Sequence, residues 1–286
     1  MLSNLIQTGS SSATIDRRRF LAPESSHPFP LFPAQSTTTN NPRTDPPSNH
    51  HHRPICKTSA GIKPGVVSQA NGSCYLESGN SKVICAVLNT DTLNRYGSKP
   101  RSSSLANSSS LSSLVVSVRF TPFCMAGGRI APTALVGVES TVSQLTQQAL
   151  MPSLLPMSES SIVEVHITVL EWDAPLTAGP CILASSIALA SAGIPLLGLV
   201  IPTTLALAKE TYLDPTAIEA ESASAIFDLA SIPAMGTVTH VGFRSTTDWQ
   251  SAPIDPALFD ECLDLCKSNA ELIHGLAAKA LEDHFS

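Results

Sequence analysis

The sequence predicts an α+β chain whose mixed sheets are each covered by a helix on one face, behind a disordered N-terminal tail. Three observations carry this. Short β-branched runs recur between turn signals, the long uncharged run Ala174–Ala208 breaks into a helix and a strand, and an amphipathic stripe closes the chain. Its 286 residues leave room for one or two domains and a sizeable core.

Residues 1–54 are rich in Ser, Thr, Pro and Asn, without apolar periodicity, and read as the disordered tail. Of the chain's 22 prolines, eight fall there, from Pro23 to Pro54. Arg17-Arg18-Arg19 imitates an organelle-targeting segment, but Asp16, Glu24, Asp45 and the dense proline argue against one. His50-His51-His52 reads as polar filler. Charge is split: up to Arg119 there are 12 basic residues against 5 acidic, and beyond it 5 against 18. An anionic partner would therefore meet the front half. Seven cysteines without paired spacing point to a reducing compartment, not a secreted disulfide framework.

The folded part, 55–286, opens with a meander. Val66–Ala70 is strand-like, and Gly72–Glu77 alternates with Cys74 and Leu76 on one face. Ser78-Gly79-Asn80 supplies a turn, and Lys82–Leu88 returns. Residues 89–113 form a Ser-rich insertion holding Arg95, Lys99 and Arg101. Leu114–Phe120 is the next strand, and Gly127-Gly128-Arg129 a loop. Val142–Met151 is a short amphipathic helix, and Ile162–Leu170 a β-branched strand carrying His166. A lone strand His with no nucleophile or carboxylate beside it in sequence is read as a packed or surface residue.

The run Ala174–Ala208 raises the question of a membrane span, which needs roughly 20 unbroken apolar residues. Gly193, Pro195, Gly198 and Pro202 break it, and no aromatic belt or Lys/Arg cluster flanks it. It is read instead as a buried helix from about Cys181 to Ala192 and a buried strand Leu196–Ile201, with no membrane partner. Leu213–Thr216 is a turn, and strands follow at Ala225–Leu229 and Gly236–Phe243. Asp255-Pro256 starts a last helix running to about Asp283. Its stripe is Leu258, Cys262, Leu265, Cys266, Leu272, Ile273, Leu276, Ala280 and Leu281. Cys262 and Cys266 have no third and fourth ligand near, so no metal or cofactor is expected.

The stretches Gly65–Glu77, Gly79–Val87, Gln147–Pro152, Val163–Glu171 and Ala184–Ile194, in this order, resemble RNase PH-like proteins. The resemblance implies the RNase PH-like fold, of the ribosomal protein S5 domain 2-like class. Within the family the chain is most similar to the ring subunits of the eukaryotic exosome, nearest the mRNA-transport-regulator type. Asp16–Pro23, Leu213-Asp214-Pro215-Thr216 with Glu219, and Glu261–Lys267 carry that likeness.

Active family members cut RNA by phosphorolysis. They hold phosphate with an Arg in the loop before the central helix and use a second Asp on a later strand. Here the Arg slot falls on Thr177 or Ala178, and no Arg stands between Arg129 and Arg244. The second Asp slot is Ile226, with Asp228 two positions away; Ser140 replaces a family Arg, and Asn89-Thr90-Asp91 a Gly-Pro-basic turn. Loss of a cation that neutralises phosphate is costly to such chemistry, so the expectation is a non-catalytic ring subunit with no catalytic residue.

Arg95, Lys99, Arg101, Arg119 and Arg129 are the candidate RNA contacts. Taken singly, each reads equally as a solvated charge. The resemblance further implies other RNase PH-like ring subunits, S1/KH cap subunits, an associated nuclease and RNA as partners. It places the protein in nucleus, nucleolus and cytoplasm.

Overall fold

A computed structural model describes residues 61–89, 113–124, 132–156, 162–173, 177–208, 211–245 and 256–286. All belong to the compact unit Pro47–Ser286. The predicted tail, the body of the Ser-rich insertion, Gly127-Gly128-Arg129 and the Asp255 cap lie outside the described residues.

Alternation of buried and half-exposed residues builds the first sheet from β1 (Gly61–Pro64), β2 (Gly72–Ser78), β3 (Ser81–Asn89), β4 (Ser113–Phe120) and β5 (Ile162–Glu171). Its order is β1-β2-β3-β5-β4, antiparallel except for the parallel pair β4 and β5. The predicted strand Val66–Ala70 is instead the turn between β1 and β2. Gly65, at φ 74°, bends the chain, and the Gly65 and Val67 amides donate to the backbone oxygen and Oγ of Ser73. With its donors satisfied locally, this stretch has no ladder to join. The Ser78-Gly79-Asn80 turn stands as expected, with Gly79 at φ 57°.

Two helices cover the buried face of this sheet: α1 (Pro132–Leu150), followed by a 3₁₀ turn at Met151–Ser153, and α2 (Gly179–Ser191). Helix α1 starts ten residues before the predicted Val142. Gly137 and the β-branched Val136, Val138 and Thr141 weaken its local signal, and tertiary bonds supply what propensity lacks. Glu139, Ser143 and Gln147, one turn apart on the helix, reach the open edge of β4. Glu139 Oε1 accepts from Phe120 N at 3.0 Å, Ser143 Oγ accepts from Val118 N at 3.0 Å, and Gln147 Nε2 donates to Leu114 O at 2.8 Å. An edge strand otherwise offers unpaired groups to any passing chain, so α1 seals this one.

Helix α2 confirms the predicted break: its buried face runs from Cys181 to Leu189, and Gly193 at φ 70° ends it. No helix among the described residues is long and apolar enough to cross a membrane. The predicted strand Leu196–Ile201 is displaced: that segment is an irregular connector with one bridge, Leu154 to Leu196, and the strand is β6 (Ile201–Leu207). Pro202 misleads the sequence reading because a proline ordinarily ends or avoids a central strand. Here the Asp214 amide bonds Thr204 O, so Thr204 turns its backbone polar groups toward β7 (Thr211–Leu213). Pro202, two residues earlier, turns its nitrogen the same way, beyond the end of β7, which pairs only with Leu205–Leu207. No hydrogen bond is lost there.

The second sheet, in order β7-β6-β8-β9, adds β8 (Ala225–Ile232) and β9 (Thr237–Ser245). It is wholly antiparallel, not mixed as expected. Asp214 takes a left-handed φ of 51° after β7, and α3 (Ala217–Ser222) begins with a capping box between Thr216 and Glu219. The last helix, α4 (Pro256–Phe285), covers the other face of this sheet. Its buried line is Cys262, Cys266, Ala270, Ile273 and Ala277, whereas Leu272 is 51% and Leu276 38% exposed, against the predicted stripe. Small residues let the helix lie close, and the two leucines fall to its rim. Leu258 lies outside the residues whose side chains are described.

Candidate functional site

The loop ahead of α2 is where the resemblance implies a phosphate grip. Both positions for the expected Arg are closed: Thr177 is 1% and Ala178 5% exposed. A helix N-terminus attracts anions through its free amides and dipole. Here the first turn carries Pro180, which has no N–H, and Ala178 offers no side-chain cap.

Across from this end stand β6 and β8. Thr204 faces Asp228 in register, and its Oγ1 donates to Asp228 Oδ1 at 2.9 Å. Arg244 on β9 donates from Nη2 to Asp228 Oδ2 at 3.2 Å. The Asp228 side chain is 19% exposed. Burial pushes its pKa up from 3.8, opposed by Arg244, the Thr204 hydrogen bond and His240. Ile226, the slot for the family's second Asp, shares a face with Asp228 and is buried. The small cavity between Ala178, Gly179, Asp228, His240 and Leu145 has about 20 Å³ of room. A second cavity against the same helix end, lined by Thr177, Gly179, Pro180, Thr204 and Asp214, has about 40 Å³, and among the described residues neither cavity is lined by a Lys or Arg.

Because the Asp228 pKa is raised, the folded chain binds its proton more tightly than the unfolded chain does. Stability from this group is fully present below the unfolded value of 3.8 and falls as pH rises through the raised folded value. Wild type should therefore lose stability relative to Asp228→Asn as pH rises from about 4 toward neutral, as read by urea unfolding of both proteins. A constant difference across that range would contradict it.

Of the candidate RNA contacts, the structure places Arg119 alone. It lies on β4 with its side chain 73% exposed and one bond, to Glu139 Oε2 at 3.1 Å. Arg95, Lys99, Arg101 and Arg129 lie outside the described residues. Ser140, next to Glu139, is exposed on α1. His166 is exposed, as read, but it does have a carboxylate close in sequence: Glu164, two residues earlier on the same strand face, lies 3.4 Å away. Cys262 and Cys266 are buried free thiols, with Cys266 pushed up to about 12 by burial. Among the described residues no group of His, Cys, Asp or Glu is placed to hold a metal. The Thr204–Asp228–Arg244 cluster was missed in sequence. Its only signal there is the i, i+2 spacing of Ile226 and Asp228, and the partners come from strand register, including a bulge at Ala230/Ser231.

The profile of the 3′ exoribonuclease family, domain 1 (RNase PH), matches residues 59–195. The chain is 31% identical to the exosome complex component MTR3 of mouse (Mus musculus) over 78% of this chain and 81% of that one. It is equally 31% identical to human (Homo sapiens) MTR3, with 78% and 80% covered. The crystal structure of rice (Oryza sativa) Rrp46 superposes with a TM-score of 0.59 at 16% identity, over 80% of this chain and 98% of that one. That likeness shows the fold alone. With 31% identity across about four fifths of these relatives and a matching domain profile, the chain belongs to the RNase PH family and stands among its MTR3-type exosome components.

Proposed function

We propose that this chain is a ring subunit of the exosome with no chemistry of its own, supporting 3′-to-5′ RNA processing and decay, including rRNA maturation, mRNA decay and RNA surveillance. One observation carries the loss of chemistry: among the described residues no Lys or Arg stands free at the α2 N-terminus to meet phosphate. The chain has no Arg between Arg129 and Arg244, and Arg244 is committed to Asp228. Phosphate attack on an RNA linkage concentrates negative charge, and removing the cation that meets it costs orders of magnitude in rate. Its partners in this reading are other RNase PH-like ring subunits, S1/KH cap subunits, an associated nuclease and RNA, in nucleus, nucleolus and cytoplasm. Arg119 and the basic front half supply phosphate contact.

Purified full-length protein given RNA and inorganic phosphate should release no nucleoside diphosphate above a no-protein blank. Release would restore the reading as an active phosphorolytic exoribonuclease. Affinity purification of the tagged chain should recover the other ring and cap subunits, and their absence would overturn the assembly reading.

A further inference from the structure

The first sheet is covered on one side only. Helices α1 and α2 pack on its buried face, while the other face stays open, with Val115 44% exposed and the His166 side chain 48%. Strand register lines up one row across all five strands of this open face. Lys63 of β1 pairs with Tyr75 of β2, Tyr75 with Ile84 of β3, Ile84 with Thr168 of β5, and Thr168 with Arg119 of β4. Residues paired in this way share a face, and none of the five is buried. The row has a cation at each end and no acid. Four strand-to-strand steps set those two ends about 19 Å apart.

Both end cations have donors to offer. Among the described residues Lys63 has no ion-pair partner. Arg119 gives Nη1 to Glu139 at 3.1 Å and keeps its side chain 73% exposed. The carboxylates of this face lie off the row: Glu77 and Glu171 flank Lys82, whose Nζ is 2.9 Å from Glu171, and Glu164 sits by His166. Between the ends, Tyr75 supplies an aromatic ring and Ile84 an aliphatic surface. In the adjoining row, Ala86, His166 and Ser117 set a second ring between two small residues.

Rings held between separated cations suit an unpaired nucleic-acid strand. A base stacks on an aromatic ring whatever its identity, and RNA-binding sheets of similar width stack two or three bases. A duplex keeps its base faces hidden and cannot use the rings. We propose that the open face of the first sheet is a platform for single-stranded RNA, where Tyr75 and His166 stack bases and Lys63 and Arg119 meet the phosphates on either side. This deepens the RNA-contact reading and rests on it, adding Lys63, Tyr75 and His166 to Arg119. The platform is tolerant of sequence, because it touches base faces and not base edges.

The test measures binding of a short fluorescent oligouridine to purified full-length protein. Wild type should bind it more tightly than a duplex RNA of equal length at equal salt, although the duplex carries more charge. Tyr75→Ala should weaken binding about tenfold. Lys63→Ala should weaken it too, and should lower the slope of log affinity against log salt by about 0.7. Lys63 is exposed, so its variant tests the platform even where Tyr75→Ala fails to fold. Tyr212→Ala, which removes a tyrosine from β7 of the second sheet, should bind as wild type does. In the tagged complex, an oligonucleotide carrying 4-thiouridine should crosslink to the β2 peptide that holds Tyr75. Unchanged affinity in both Tyr75→Ala and Lys63→Ala, or tighter binding of the duplex, overturns the platform and leaves the RNA-contact reading standing. Loss of ring subunits from tagged Tyr75→Ala at unchanged RNA affinity would make this face a protein contact, which also overturns it. If wild type binds RNA in neither form, the RNA-contact reading itself falls and this proposal with it.

Discussion

Gly72→Val should cost about 3 kcal/mol or more of unfolding free energy, and in a marginal chain it should prevent folding. Gly72 opens β2 directly under the C-terminal turn of α2. A Cβ there would drive into the Ala192 amide and the Ala188 carbonyl, and would stand 2.6 Å from the Ala192 Cβ. Those two backbone groups form the last bond of the helix, Ala192 N to Ala188 O at 2.9 Å. They cannot retreat without breaking it or lifting α2 off the sheet that buries Ile187 and Leu189. Thermal and urea unfolding measure the loss. Gly137→Ala is the control: nothing lies within 4 Å of its added methyl group, in the interior of α1. That change should stabilise by about 0.5–1 kcal/mol. Equal effects at the two glycines would refute the close approach of α2.

Phe227→Ala should destabilise by about 3–5 kcal/mol. Phe227 is 1% exposed at the centre of the second, smaller core with Leu205, Leu229, Cys262 and Cys266. It meets Phe259 of α4 edge to face, with ring centroids 5.4 Å apart. Few neighbours can collapse into the hole because strand pairing holds β6 and β8, so most of the cavity should persist. The variant should also loosen α4, read as faster exchange of its amides near Phe259. A loss below about 1 kcal/mol would mean that the site repacks.

Legibility followed how local each signal was. β2, β3, β4, β5 and β8 were visible because alternation and β-branching act within a strand. The breaks of the central run were visible because Gly193 acts through its own backbone. Helix α1 was half visible, because, of its bonds to β4, only those of Glu139 fall in the ten missed residues, and no window of α1 contains their partners Phe120 and Arg119. Pro202 sent the β6 boundary astray for the same kind of reason: its tolerance depends on where β7 stops. The rim leucines of α4 show the limit of periodicity, which finds an apolar stripe but not which edge of it a neighbour leaves uncovered.

For the site, the chain order alone showed what was missing, since no Arg between Arg129 and Arg244 is a fact of composition. It could not show what fills the space instead. Thr204, Asp228 and Arg244 come from three strands and meet through register, and a carboxylate in that position is buried only because α2 and the second sheet close over it. Residue types and their spacing decide which segments become strand or helix, because those forces act over a few residues. The closed β4 edge and the Thr204–Asp228–Arg244 cluster are decided only when distant segments pack and share hydrogen bonds.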